Sequence, residues 1–207
     1  MRQIVLDTET TGFEPSIGDE IIELACVELI DNELTGNYLQ MFFRPQKSID
    51  ISAQNVHGIS IFDLIKYPKF SNESIEQIKE YINGDEIIIH NAKFDLKFLE
   101  HHFSQFNQSF SNCYSKVIDT LIVAREKFPS MRNSLDALAE RFEIKSINRT
   151  YHGALVDCEL LALVYKELFK DQQSLLSNYA TKPNSEPNDK IIFEAVKWVK
   201  IHQQEII

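Results

Sequence analysis

Gln3-Ile4-Val5-Leu6-Asp7-Thr8-Glu9-Thr10-Thr11-Gly12 is the stretch on which the fold turns. The short apolar run Ile4-Val5-Leu6 predicts a strand over Gln3–Leu6. Acid follows at once. Asp7 and Glu9 stand two apart, so on extended backbone both side chains leave the same face. Two carboxylates on one face can bracket a hard cation at ~2.0–2.1 Å, although a lone D-x-E pair at a strand end is more often simply solvated. Thr10, Thr11 and Gly12 then offer hydroxyls and a pliant backbone that a substrate could approach closely.

Outward from this strand, Ile21–Leu29 and Tyr38–Phe43 read as two more, with turn chemistry at Asp31-Asn32 and Gly36-Asn37. Short connections predict an antiparallel meander. Ile75, Ile78 and Ile82 then recur at helical spacing across Ser74–Tyr81, stopping near Asn83-Gly84. Ile87–Ile89 is wholly apolar, as buried parallel strands are. Phe94, Phe98, Leu99 and Phe103 mark a further helix, and Val117-Ile118 a last short strand. Leu135, Leu138, Ala139 and Phe142 mark a helix that Ser134 can cap. The longest stripe, Leu155, Cys158, Leu161, Ala162, Tyr165, Leu168 and Phe169, ends near Lys170. Together these predict an α/β domain over residues 1–171, a mixed five-stranded sheet with helices on both faces. Residues 172–190, with Thr181-Lys182-Pro183-Asn184-Ser185-Glu186-Pro187, read as a polar linker. Residues 191–207 regain helical spacing through Ile192, Ala195, Val196 and Val199 and carry Trp198.

A chain of 207 residues with 43% hydrophobic content suits one soluble core plus a small appendage. No apolar run approaches the ~20 residues of a membrane span, and no secretory start is evident. Cys26, Cys113 and Cys158 are scattered without a C-x-x-C pair, which fits reduced core thiols in a cytoplasm. The net charge of −10 argues against an independent grip on long nucleic acid. It suits an enzyme handed a strand end by a partner, or a module that binds no nucleic acid.

Two more clusters carry chemistry. In His90-Asn91-Ala92-Lys93-Phe94-Asp95 the aspartate falls in a first helical turn, where the helix dipole favours it in any protein. In His152-Gly153-Ala154-Leu155-Val156-Asp157 the aspartate sits among inward-facing leucines, with a histidine just upstream that can accept a proton near pH 7. Asp7, Glu9, Asp95 and Asp157 could not share a pocket as bare anions, because like charges raise one another's pKa. A magnesium or manganese site with a histidine beside it removes that conflict.

In order and local context, Asp7-x-Glu9, Asp95, His152 and Asp157 resemble the DEDDh 3′→5′ exonucleases of the DnaQ-like group. Arg2 to Gly12, Val56-His57-Gly58-Ile59, Ile89-His90-Asn91-Ala92, Arg132-Asn133-Ser134-Leu135-Asp136-Ala137-Leu138 and Arg149-Thr150-Tyr151-His152-Gly153-Ala154-Leu155 are similar, more closely still, to the proofreading ε subunits of bacterial DNA polymerase III. The resemblance covers roughly residues 2–170. It implies a ribonuclease H-like fold, two divalent metal ions (Mg2+ or Mn2+) and deoxynucleoside monophosphates as product. One ion held by Asp7, Glu9 and Asp157 would acidify a water, and a second sharing Asp7 would stabilise the leaving 3′ oxygen. Asp95 would hold its ion through water, and His152 would be the base. Asp7, Glu9, Thr10, His57, Phe94 and Asp157 would contact the terminal nucleotide, with His57 and Phe94 as a wedge. Unaided, His57 reads as a turn histidine and Phe94 as core.

The implied partners are single-stranded or frayed 3′ DNA ends, the polymerase III catalytic (α) subunit and a small theta-like accessory subunit. The implied setting is the bacterial cytoplasm, with no membrane. Residues 191–207 are then the candidate polymerase-binding segment. One departure stands out: Ser52 occupies the position, five before His57, where the family often has glutamate, which alters a contact to the terminal sugar. Two rival readings share the residues. An RNA-trimming DEDDh exoribonuclease has the same chemistry and other sugar contacts. A non-catalytic polymerase scaffold has no physical reason to keep five mutually repelling or titrating groups.

Overall fold

The acids lie inside the first strand rather than after it. In the computed structural model, which describes residues 1–144 and 151–177, with side chains to residue 170, β1 runs Arg2–Thr10, β2 Ile21–Ile30 and β3 Glu33–Phe42. The ladder to β2 continues past Asp7↔Ala25 and Glu9↔Glu23, and this pairing carries the strand through the polar residues. β4 (Glu86–Ile89) and β5 (Lys116–Asp119) join in parallel. The sheet order is β3-β2-β1-β4-β5, mixed and five-stranded as expected.

The helices are α1 (Ile51–His57), α2 (Ile61–Leu64), α3 (Asn72–Ile82), α4 (Ala92–Ser104), α5 (Thr120–Lys127), α6 (Leu135–Arg141) and α7 (Ala154–Ser177). They cover both faces of the sheet, and β1 shows how. Ile4 and Leu6 pack with Ile75 and Ile78 of α3 and with Phe98, Leu99 and Phe103 of α4. Val5, between them, packs with Ala25, Val27 and Ile88 against Leu155, Cys158 and Leu161 of α7. All three β1 residues are fully buried, each worth about 1.5–3 kcal/mol relative to exposure. A strand covered on both sides therefore reads as a continuous apolar run rather than an alternating one.

Three expectations need correction. Gly36-Asn37 lies within β3, not in a turn. The β2–β3 hairpin closes at Asp31-Asn32, both with positive φ (52° and 64°), and β3, an edge strand, shifts register between Val27 and Leu29, which accommodates a glycine. Short α1, α2 and α5 were not anticipated, because α1 buries only Ala53 and His57, α2 only Leu64 and α5 only Thr120 and Ala124, too little to print a period. Finally, α7 continues past Lys170 to Ser177. Gln172, Gln173, Leu175 and Leu176 are good helix formers, and polarity alone does not stop a helix. The remainder of the expected linker and the 191–207 segment lie outside the described residues. Among the described residues no helix is long and apolar enough to cross a membrane.

Candidate active site

Strand alternation builds the centre. Asp7 and Glu9 share the parity of Val5 and so leave β1 on the α7 side. Asp157, in the first turn of α7, meets them there. One oxygen from each of Asp7, Glu9 and Asp157 can be chosen so that all lie within 4.8 Å of one another. Glu9 and Asp157 are buried and Asp7 is half-buried. The β1–β2 register shifts between Glu9 and Thr10, so the paired strand loosens just beyond the second acid.

His152 precedes α7 and is fixed from two directions. Its backbone N–H donates to the Val56 carbonyl at the end of α1 (3.0 Å). Its Nδ1 lies 2.8 Å from Asp157 Oδ2. Since a carboxylate only accepts, that bond makes Nδ1 the donor and leaves Nε2 with the lone pair. Nε2 is 3.7 Å from Asp136 Oδ2, a residue that α6 supplies just after its Ser134 cap. The imidazole thus stands between two carboxylates.

Asp95 arrives differently. Thr8 has the opposite parity to Asp7 and Glu9, and its hydroxyl donates to Asp95 Oδ1 at 2.7 Å. Asp95 is 3% exposed at the start of α4. Burial pushes its pKa up to about 7, against the opposing pull of the Thr8 hydrogen bond. Of the four acids expected at the metals, three form the oxygen cluster, and Asp95 lies outside that group, held from the other face of β1.

The loop after β1 is built by groups that the sequence reading assigned to substrate. Thr10 Oγ1 donates to the Gly12 carbonyl (2.6 Å), and Thr11 Oγ1 accepts from Glu20 N (2.9 Å). Both threonines are buried, and each hydroxyl makes a bond within the loop itself. A Cβ at Gly12 would fall 2.4 Å from Asp19 Oδ2, so glycine is required there by the packing of Asp19. Asp19 in turn accepts from Glu14 N (2.9 Å) and pairs with Lys47. Lys97 of α4 donates to the Phe13 carbonyl (2.8 Å) and to Glu14 (3.0 Å), which ties this loop to the helix of Asp95.

His57 closes α1, and its Nδ1 accepts from Ile59 N (3.0 Å). Burial holds its pKa down to about 4, so the ring is neutral, with the Thr10 backbone beside it. Phe94 is half-buried in the first turn of α4 and stacks obliquely on Phe98, with ring centroids 5.1 Å apart. Ser52 is exposed in the first turn of α1. Thr8, Glu23 and Asp136 were not singled out from the sequence. The parity of Thr8, and the place of Asp136 within the Arg132–Leu138 stretch that carries the resemblance, were the available signals.

The donor set at the centre is all carboxylate oxygen, which suits a hard divalent cation and not a soft one. Three clustered acids, two of them buried, need such a charge to remain ionised together. The residues present therefore fit a divalent metal.

Comparison with known proteins agrees with this geometry. A family model described as Exonuclease matches residues 4–165. The DNA polymerase III subunit epsilon of Escherichia coli is 43% identical over 180 residues, spanning 84% of this chain and 74% of that one. The subunit of the same name from Rickettsia prowazekii is 38% identical over 205 residues, spanning 98% and 86%. Among solved structures, Exonuclease X in complex with 5′-overhanging duplex DNA superposes with a TM-score of 0.65 at 24% identity, covering 83% of this chain and 93% of that one. The nuclease domain of 3′hExo, a DEDDh family member bound to rAMP, gives 0.70 at 18% identity, covering 82% and 92%. These two likenesses establish the ribonuclease H-like fold. The matched model takes in the acids and the histidine alike, and the chain belongs to the exonuclease family that this model describes, together with the DNA polymerase III epsilon subunits.

Proposed function

We propose that this protein is a divalent-metal-dependent 3′→5′ exodeoxyribonuclease, the proofreading subunit of a bacterial DNA polymerase III, working with two Mg2+ or Mn2+ ions. The observation that carries this reading is the contact of His152 Nδ1 with Asp157 Oδ2 at 2.8 Å, beside the Asp7–Glu9–Asp157 oxygen cluster. The names of its relatives, subunits of DNA polymerase III, support the assignment to a polymerase.

Bound divalent ions would supply an acidified water and stabilise the departing 3′ oxygen. The protein's own residues do the rest. Asp7, Glu9 and Asp157 hold the ions, with Asp95 completing the set from beyond Thr8. His152, oriented by its Nδ1–H bond to Asp157, keeps its Nε2 lone pair for the proton of the attacking water, a contribution of ~10²–10⁴-fold. Asp136, 3.7 Å from Nε2, favours the imidazolium that results. Neutral His57, beside the Thr10 backbone, and Phe94 in the first turn of α4 contact the last base.

The test is hydrolysis of a 3′-mismatched primer with and without magnesium. Unpairing costs less at a mismatched end, so single strands and mispaired ends are digested faster than paired ones, and only with the metal. Equal rates on paired and mispaired ends, where the duplex is stable, would count against proofreading. Faster degradation of a matched RNA oligonucleotide than of DNA would favour the RNA-trimming reading.

A further inference from the structure

Helix α7 begins without a cap of its own. The first helical bond runs from Asp157 N to the Gly153 carbonyl (2.9 Å), so Gly153 stands at the cap position and has no side chain to offer. The first N–H groups of a helix need acceptors from elsewhere. Here one carboxylate from the neighbouring strand supplies them. Glu23 of β2 accepts from Ala154 N through Oε2 (3.2 Å) and also from the Leu155 backbone. Its other oxygen accepts from Gln40 Nε2 of β3 (2.8 Å).

We infer that Glu23 is a positioning residue for catalysis, acting through the start of α7 on both Asp157 and His152. Asp157 lies one turn beyond Ala154 and His152 two residues before it. A shift at the helix start therefore displaces a metal-holding carboxylate and the base together. Glu23 stands directly opposite Glu9 in the β1–β2 ladder, on the same face, and is 3% exposed. Two buried like charges so placed repel. The three donors, with the positive end of the α7 dipole, turn Glu23 toward the helix and leave Glu9 to the cluster. All of these partners are donors and favour the ionised carboxylate, while burial, the larger influence, raises its pKa. Glu23 is not itself one of the clustered oxygens.

This inference rests on the exonuclease reading, and the experiment keeps the two apart. Glu23→Gln keeps the size and removes the charge. Misplacement of reacting groups by about 1 Å costs up to ~10²-fold, so kcat on a single-stranded oligonucleotide falls about tenfold to a hundredfold, with KM within about threefold. Affinity for Mn2+ measured without substrate weakens severalfold. The comparison variant is Lys166→Gln, which cuts a second tie between α7 and the sheet, to Glu33 of β3, away from the site; it lowers the melting temperature while leaving kcat and Mn2+ affinity unchanged. Gln40→Leu, which leaves Glu23 in place without its lateral donor, shows the kcat loss in weaker form and serves if Glu23→Gln does not fold. Parallel loss of kcat in the Glu23 and Lys166 variants would reduce Glu23 to a stabilising contact and overturn the proposal. So would wild-type kcat and Mn2+ affinity in Glu23→Gln, or wild-type values in Gln40→Leu where Glu23→Gln does not fold. If the wild-type protein fails to hydrolyse DNA, the functional reading falls, while the Mn2+ affinities still test the role of Glu23.

Discussion

Thr8 Oγ1 holds Asp95 Oδ1 at 2.7 Å, on the opposite face of β1 from the one that presents Asp7 and Glu9. One strand thus places three of the four candidate acids, Asp7 and Glu9 directly by parity and Asp95 through a hydroxyl on its reverse side, while Asp157 comes from α7. Thr8→Val keeps the shape and removes the donor. Asp95 keeps its backbone donors at Thr8 and Asp95, so losing this one hydrogen bond costs about 0.5–1.5 kcal/mol, and the variant melts lower and loses activity together. Unchanged melting and unchanged kcat would show that Asp95 is held by the helix alone.

Asp7→Ala abolishes hydrolysis and leaves the fold intact, since Asp7 is the carboxylate expected to serve both ions. Relief of like-charge repulsion in the Asp7, Glu9 and Asp157 cluster leaves the metal-free melting temperature equal to or above wild type, and the rise in melting temperature on adding Mg2+ shrinks. Retention of more than about a tenth of the wild-type rate would remove the two-metal scheme.

His152→Ala lowers kcat by ~10²–10⁴-fold and flattens the acid limb of the pH–rate profile, because the neutral imidazole is the base. Asp136→Asn, which removes the charge 3.7 Å from Nε2, moves that limb to lower pH with a smaller loss of rate, since the imidazolium loses its stabilising neighbour. A limb unmoved in both variants would exclude the histidine.

Stability falls in acid through two buried histidines, of which His102 is away from the chemistry. His102 Nε2 accepts from Ile21 N (3.0 Å), its ring stacks on Phe70 with centroids 4.7 Å apart, and burial holds its pKa down to about 4. The unfolded chain takes up that proton near ~6.5. Stability from His102 is therefore fully present above ~6.5 and is lost as pH falls toward 4, by about 1.4 kcal/mol per pH unit at most. His57 acts in the same sense. Urea unfolding of His102→Gln between pH 7 and 4.5 should show a slope shallower by up to one proton; an identical slope would refute the assignment.

Deletion of residues 191–207 tests the expected tether. A short amphipathic segment is marginal as an isolated helix, and a linker of this kind raises the local enzyme concentration to about the millimolar range when its end is bound. The truncated protein should keep a near wild-type nuclease rate and lose co-purification with the polymerase. A truncated form that unfolds, or still holds the polymerase, rejects the tether.

Much of this was legible in local order. Ile4-Val5-Leu6 specified a strand, and Ile87–Ile89 a buried parallel one. Period two put Asp7 and Glu9 on one face, and period 3.6 marked α3, α4 and α7 with their buried leucines and phenylalanines. Those features depend on neighbours in sequence, which is why spacing reveals them. The resemblance then gathered acids that spacing alone left as solvated pairs.

What only the tertiary structure decided depends on register and on how helices cross the sheet. Glu9 faces Glu23 because β1 and β2 pair in one register, and Glu23 reaches Ala154 only because α7 crosses that face. His152 lies between Asp157 and Asp136 because α6 and α7 start side by side. Thr10 and Thr11 close their own loop rather than facing outward, since Gly12 lets Asp19 approach. The sequence by itself determined which residues are acidic, apolar or helical. Contacts between residues 9 and 23, or 23 and 154, belong to long-range packing, which no local pattern records.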